Sequence, residues 1–131
     1  MRGGSGRAMR AALVLLALCG VLRPALAQER MAFWNLTSTT ITNLVMAPAG
    51  AEGAAPGPFG PNQCANDRDG TVDHDERLRL TGIAPGRYDV RLTTKPSATK
   101  PRRVCTVRGV EVKGGGKYSF SLSDSDLVDC Q

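Results

Sequence analysis

Apolar and polar residues alternate with a period of two along several short segments of the chain, which is the pattern of half-buried β-strands. The clearest is Gly82-Ile83-Ala84-Pro85-Gly86-Arg87-Tyr88-Asp89-Val90-Arg91-Leu92. Pro85 fixes φ for the first central position of a turn, and Gly86 supplies the positive φ that a type II turn needs next. Beyond the turn, Tyr88, Val90 and Leu92 are predicted to face a core, with Arg87, Asp89 and Arg91 in water. Glu76-Arg77-Leu78-Arg79-Leu80 alternates likewise, so the two segments read as strands joined at Thr81–Gly86.

The same reading predicts strands at Met31–Leu36 and Ile41–Met46, separated by the polar corner Thr37-Ser38-Thr39-Thr40. A longer strand follows at Val104–Val112, where Gly109 shifts the alternation by one residue and predicts a β-bulge. Gly114-Gly115-Gly116 reads as a hairpin turn into a last strand, Lys117–Leu122, with Ser123 capping a short C-terminal helical turn over Asp124–Asp129. Trp34, Tyr88, Tyr118 and Phe120 are assigned to the core, because they occupy inward strand positions. Between Ala47 and Pro61 four prolines and a Gly/Ala-rich composition forbid a ladder, so this is a long loop, tacked to the body by Phe59. The fold class is all-β: one small antiparallel β-sandwich of six or seven strands, spanning residues 28–131.

Residues 1–27 are read as a cleaved signal peptide. Arg2, Arg7 and Arg10 precede the apolar run Ala11–Leu18, and Ala25-Leu26-Ala27 supplies small residues for cleavage before Gln28. The run is too short to span a bilayer and is broken by Arg23 and Pro24, so no stable membrane insertion is expected after cleavage. The predicted location is the periplasm or the extracellular space. The four leader arginines supply four of the five net positive charges of the whole chain. A nearly neutral secreted part lacks the electrostatic footprint of a nucleic-acid binder. Charge is segregated: Asp67, Asp69, Asp73, Asp75 and Glu76 crowd together, whereas Lys95, Lys100, Arg102, Arg103, Arg108, Lys113 and Lys117 have only Glu111 among them.

Cleavage leaves three cysteines, Cys64, Cys105 and Cys130, in an oxidising compartment. If Gly114–Gly116 is a hairpin turn, Cys105 lies opposite residue 124 or 125 and the chain end brings Cys130 back to it, so Cys105–Cys130 is the predicted disulfide and Cys64 the free thiol. The sequon Asn35-Leu36-Thr37 is read as a buried or turn asparagine, the Ala/Gly/Arg-rich composition being bacterial in character.

Three chemistries are open to these residues. With Gly70 as the sixth position of a calcium loop, Asp67, Asp69, Asp73 and Glu76 fall third, fifth, ninth and twelfth, a partial oxygen-ligand set that lacks its first carboxylate because Ala65 stands there. Cys64 and His74 are the sole residues for thiol catalysis, and no signature surrounds the thiol. Asp73 with Glu76 are the carboxylates available for glycoside chemistry, on a domain with little room for a sugar cleft. The reading is therefore non-enzymatic and without cofactor: a binding or accessory module for a protein or cell-envelope partner, with calcium binding by the acidic loop as the first alternative and a thiol enzyme as the second.

The segment Gly82–Leu92, followed by the valine-rich strand, resembles the G-[IL]-x-P-G-x-Y-x-V-x-[LV] pattern of small prealbumin-like sandwiches, such as the regulatory domains of carboxypeptidases and the B-type repeats of collagen-binding surface proteins. The resemblance covers residues 76–122. It implies the sandwich fold and a supporting or adhesive role, and it assigns no site residue; the Lys–Asn isopeptide cross-link of some surface repeats has no motif here to fix its partners.

Overall fold

The computed structural model describes residues 30–131, so the signal-peptide reading of residues 1–27 lies outside the described part. Six strands are formed: β1 (Met31–Leu36), β2 (Ile41–Pro48), β3 (Arg77–Leu80), β4 (Gly86–Thr94), β5 (Val104–Val112) and β6 (Phe120–Ser123). They make two three-stranded sheets, ordered β3-β1-β6 and β2-β4-β5. Their inner faces meet in one core. Met31, Phe33, Leu78, Leu80, Phe120 and Leu122 come from the first sheet; Ile41, Leu44, Met46, Val90, Leu92, Cys105 and Val112 come from the second. Phe33 and Phe120 pack ring on ring at its centre, 5.0 Å between centroids. The all-β sandwich expected from the alternation is the observed architecture.

Which sheet each strand joins differs from the sequence reading in two places. Gly114–Gly116 does not close a hairpin between β5 and β6; it carries the chain from one sheet to the other, where β6 runs parallel to β1. Ser119 sets this docking, its N–H donating to the Ala32 carbonyl at 2.7 Å and its Oγ accepting from the Ala32 N–H at 3.0 Å. The sandwich is thus not wholly antiparallel. The turn at Thr81–Gly86 also crosses between sheets, because β3 pairs with β1 and β4 with β2 and β5. Alternation says that one face of a strand is apolar, and both sheets offer the same core to bury it.

Cys105 and Cys130 form the predicted disulfide across 25 residues of chain, by a different route. After β6 a capped 3₁₀ turn at Asp124–Asp126, shorter than the helical turn expected, returns the tail to the free edge of β5. There Val104 and Gln131 exchange backbone hydrogen bonds of 3.0 and 2.9 Å, and the Thr106 N–H donates to the Asp129 carbonyl.

The bulge at Gly109 is present. Tyr88 pairs with Val110 and Val90 with Val107, leaving Asp89 opposite two residues. Gly109 has φ +66°, and a side chain there would meet the Arg87 guanidinium at 2.7 Å. Asp89, expected in water, is buried, its Oδ1 accepting the Gly109 N–H at 3.0 Å. The bulge turns this N–H away from the ladder, and the carboxylate satisfies it.

The sheet edges are finished by side chains. From the 3₁₀ turn Gln63–Asn66, Asn62 Oδ1 accepts the Leu44 N–H at the β2 edge. Gln63 takes both backbone groups of Thr81, and Asn66 Nδ2 donates to the Arg79 carbonyl at the β3 edge. Amide side chains here substitute for a neighbouring strand and remove an open template for edge-to-edge pairing.

At the end of β1, Asn35 is fully buried with its amide saturated. Nδ2 donates to the Thr39 and Val72 carbonyls, and Oδ1 accepts from the N–H and hydroxyl of Thr37, all within 2.9 Å. Val72 exchanges two backbone bonds with Ile41 of the other sheet, so this side chain couples the two layers.

Two outcomes are expected. Asn35→Ala leaves the buried Thr37 N–H without a partner and strips one hydrogen bond each from the Thr39 and Val72 carbonyls, and should lower unfolding stability by about 3 kcal/mol, read from urea titration. Replacing Cys105 and Cys130 together by Ala should cost about 3 kcal/mol, read as a lower melting temperature that reducing agent does not lower further.

Candidate functional site

The outer face of the β3-β1-β6 sheet carries the aromatic residues that the sequence reading placed in the core. Met31, Phe33 and Asn35 of β1 point inward, which puts Ala32, Trp34 and Leu36 on the opposite side. Trp34 is half-buried there, and Tyr118, upstream of β6 rather than within it, is 42% exposed. The two rings pack at 5.1 Å with an interplanar angle of 55°. Tyr88 is also only partly buried, its hydroxyl donating to the Ala84 carbonyl at 2.7 Å; Phe120 alone of the four lies deep in the core. The inward assignment of Tyr118 failed because the strand begins two residues later, at Phe120, so the count of alternate positions does not extend back to it.

Trp34 is held on three sides. Tyr118 packs against it; Arg77, its direct cross-strand partner, lies with its guanidinium 4.8 Å from the ring centroid; and Nε1–H donates to Asp75 Oδ1 at 2.9 Å. Asp75 has φ +66°, the one non-glycine among the described residues with positive φ. Its N–H donates to the Asn35 carbonyl at 2.7 Å. A left-handed aspartate costs conformational energy that this bond and the indole bond offset, and such positions concentrate where a side chain must be aimed.

Beside the aromatic pair lies an open pocket of about 400 Å³. It is lined by the cationic Arg30, Arg77, Arg79 and Lys117 together with Ala32, Gly116 and the buried Met31 and Leu78. Ala32 and Arg79 are cross-strand partners, as are Trp34 and Arg77, so the cations and the indole share one surface. A guanidinium stacked on an aromatic face keeps its in-plane N–H donors free for an oxyanion.

A second concavity, about 440 Å³, lies between the corner Ser38-Thr39-Thr40 and the β4–β5 loop with Lys95, Ser97, Thr99 and Lys100. Acidic groups already serve its edge: Asp124 Oδ1 accepts the Ser38 N–H at 2.9 Å, and Asp73 accepts from the Thr40 hydroxyl. The Ser38 N–H holds the Asp124 carboxyl below its ordinary pKa, aided by Lys100 and Arg103.

The four candidate calcium ligands are each engaged in the turn they belong to. Asp69 Oδ1 accepts from the N–H and hydroxyl of Thr71, Asp73 accepts from Thr40, and Glu76 Oε2 accepts the Asp73 N–H at 2.7 Å. A side-chain hydrogen bond between Asp67 and Asp69 raises the pKa of the first and lowers that of the second. Among the described residues no three His, Cys, Asp or Glu side chains gather at a common point suited to a metal ion.

Cys64 is free and buried, its Sγ 3.8 Å from the Ile41 carbonyl. It sits in the Gln63–Asn66 turn that seals the sheet edges, rather than in a mobile loop. Burial, with Asp67 nearby, pushes its pKa up to about 11. His74 is exposed and directs Nδ1 to the Thr37 carbonyl at 2.8 Å. Phe59 does dock the long loop, under the Arg91 guanidinium at 4.3 Å.

Comparison of the chain with protein-family models, with curated proteins and with solved structures gives no match, so the likeness of residues 76–122 to prealbumin-like sandwiches rests on the sequence pattern alone.

A thiol with its pKa raised to about 11 should react with iodoacetamide at neutral pH far more slowly in the native protein than after denaturation, which mass spectrometry of the Cys64 peptide measures. The native state retains this proton longer than the unfolded chain does. The resulting stabilisation is complete below the ordinary value of about 9 and declines as pH rises toward 11.

Proposed function

We propose that this chain is a secreted or periplasmic, non-enzymatic binding module that holds its ligand against the outer face of the β3-β1-β6 sheet. The observation that carries this reading is the outward Trp34–Tyr118 pair, fixed by Asp75 and Arg77. A sheet face that only needed solvation would carry short polar side chains. Here the sole tryptophan of the chain and an exposed tyrosine stand side by side, and aromatic residues of this kind dominate binding energies where they meet a partner.

Further support comes from how the rest of the chain is used. The buried, protonated Cys64 suits a structural role and not a nucleophile. The acidic segment supplies turn hydrogen bonds and the Asp75 contact to the indole. A supporting or adhesive role also agrees with what the prealbumin-like pattern implies.

Immobilised protein should retain material from bacterial envelope fractions, and Tyr118→Ala should reduce that retention about tenfold or more while leaving the melting temperature within a few degrees of wild type. Equal retention by wild type and variant removes this face as the binding surface.

A further inference from the structure

The pocket next to the aromatic pair carries charges of one sign only, and its chemistry narrows the ligand class. Resting on the reading of this face as the binding surface, we propose that the ligand is a carboxylate-bearing polysaccharide, seated along β3 with its acid groups on Arg30, Arg77, Arg79 and Lys117 and a sugar ring against Tyr118.

Arg77 and Arg79 are two residues apart on an edge strand, so their side chains leave the same face roughly 7 Å from one another. Both are exposed, and Arg30 and Lys117 extend the cationic rim on the other side of the pocket. The one carboxylate described beside the indole, Asp75, already accepts the Trp34 N–H. Arg77 is placed against the indole rather than against an acid, which orders its fork before any ligand arrives. A row of guanidinium groups, one of them held in place on the indole, favours bidentate contact with planar carboxylates.

The apolar part of the site selects among polyanions. Its accessible apolar lining is small, Ala32 and Gly116, because Met31 and Leu78 are buried in the core, and Tyr118, next to Lys117 in the chain, offers an exposed ring. A sugar ring has a C–H face that lies on such a surface while its substituents reach the rim. An anionic membrane would instead favour protruding apolar side chains. The large exposed hydrophobic residues among those described are Tyr118 and Val128, and Val128 belongs to the tail that borders β5 in the other sheet. The rival concavity near Lys95 and Lys100 fits a polyanion less well, because Asp124 and Asp73 stand at its edge.

Trp34 is the only tryptophan, so intrinsic fluorescence reports on this face alone. Alginate oligosaccharides titrated into the purified protein should change the emission saturably, with affinity falling as salt is raised, and neutral dextran should leave it unchanged. The double variant Arg79→Gln with Lys117→Gln, whose exposed positions keep the fold, should weaken alginate binding about tenfold at unchanged melting temperature. Absence of a saturable response to alginate overturns the proposal, as does an equal response to poly-glutamate or to anionic phosphatidylglycerol vesicles. Envelope retention that depends on Tyr118 together with silence toward alginate refutes the ligand class and leaves the binding face standing. Alginate binding without any dependence of envelope retention on Tyr118 refutes the face as the general binding surface and keeps the carboxylate site.

Discussion

The architecture depends on one buried amide. Asn35 stands at an inward position of β1 where alternation would place an apolar residue, and its four hydrogen bonds reach the corner at Thr37–Thr39 and the Val72 carbonyl. Val72 is bonded in turn to Ile41, at the start of the other sheet. Because a buried amide left unpaired costs more than its bonds return, the side chain admits one arrangement of these three segments. The backbone of Asn35 extends the constraint, since its carbonyl accepts from Asp75 and its N–H donates to Glu76. Asp75, so placed, orients Trp34. Interior packing and the outward aromatic face are thereby connected through a single residue.

A two-layer sandwich of three strands per sheet has four edges, and their finishing explains much of the irregular chain. The C-terminal tail, stapled by Cys105–Cys130, lines β5. Asn62, Gln63 and Asn66 serve the backbone of β2 and β3 through their side chains. These residues look like ordinary loop composition in the sequence. Their role arises because unpaired strand groups near the core must be satisfied by something, and a short turn carrying three amides does it without adding a strand.

Beyond these three edges, the exposed faces remain for contact. On one, Phe59 and Arg91 fasten the long proline-rich loop. On the other, Trp34, Tyr118 and the cations beside them are left open. The near-neutral net charge of residues 28–131 conceals this local excess, because the acidic segment lies in turns where its carboxylates accept backbone and hydroxyl hydrogen bonds. Position in the fold, and not net charge, decides what a partner meets.

The sequence by itself determined most of the strands, the glycine bulge in β5 and the two-layer class, since period-two alternation and a glycine that shifts it are local properties; it also paired Cys105 with Cys130, through a hairpin that the fold does not form. Asn35 was legible only as a buried or turn asparagine, without its partners. The tertiary structure alone decided that β6 lies beside β1, that Asp89 is buried on the outer side of β4 against the bulge, and that Tyr118 stands outside the last strand and faces out. The first turns on which strand is the neighbour, whereas Trp34 faces out because Met31, Phe33 and Asn35 take the inward positions of β1. Alternation is identical for either sheet of a sandwich, so the choice falls to long-range bonds such as Ser119 with Ala32, which no local pattern encodes.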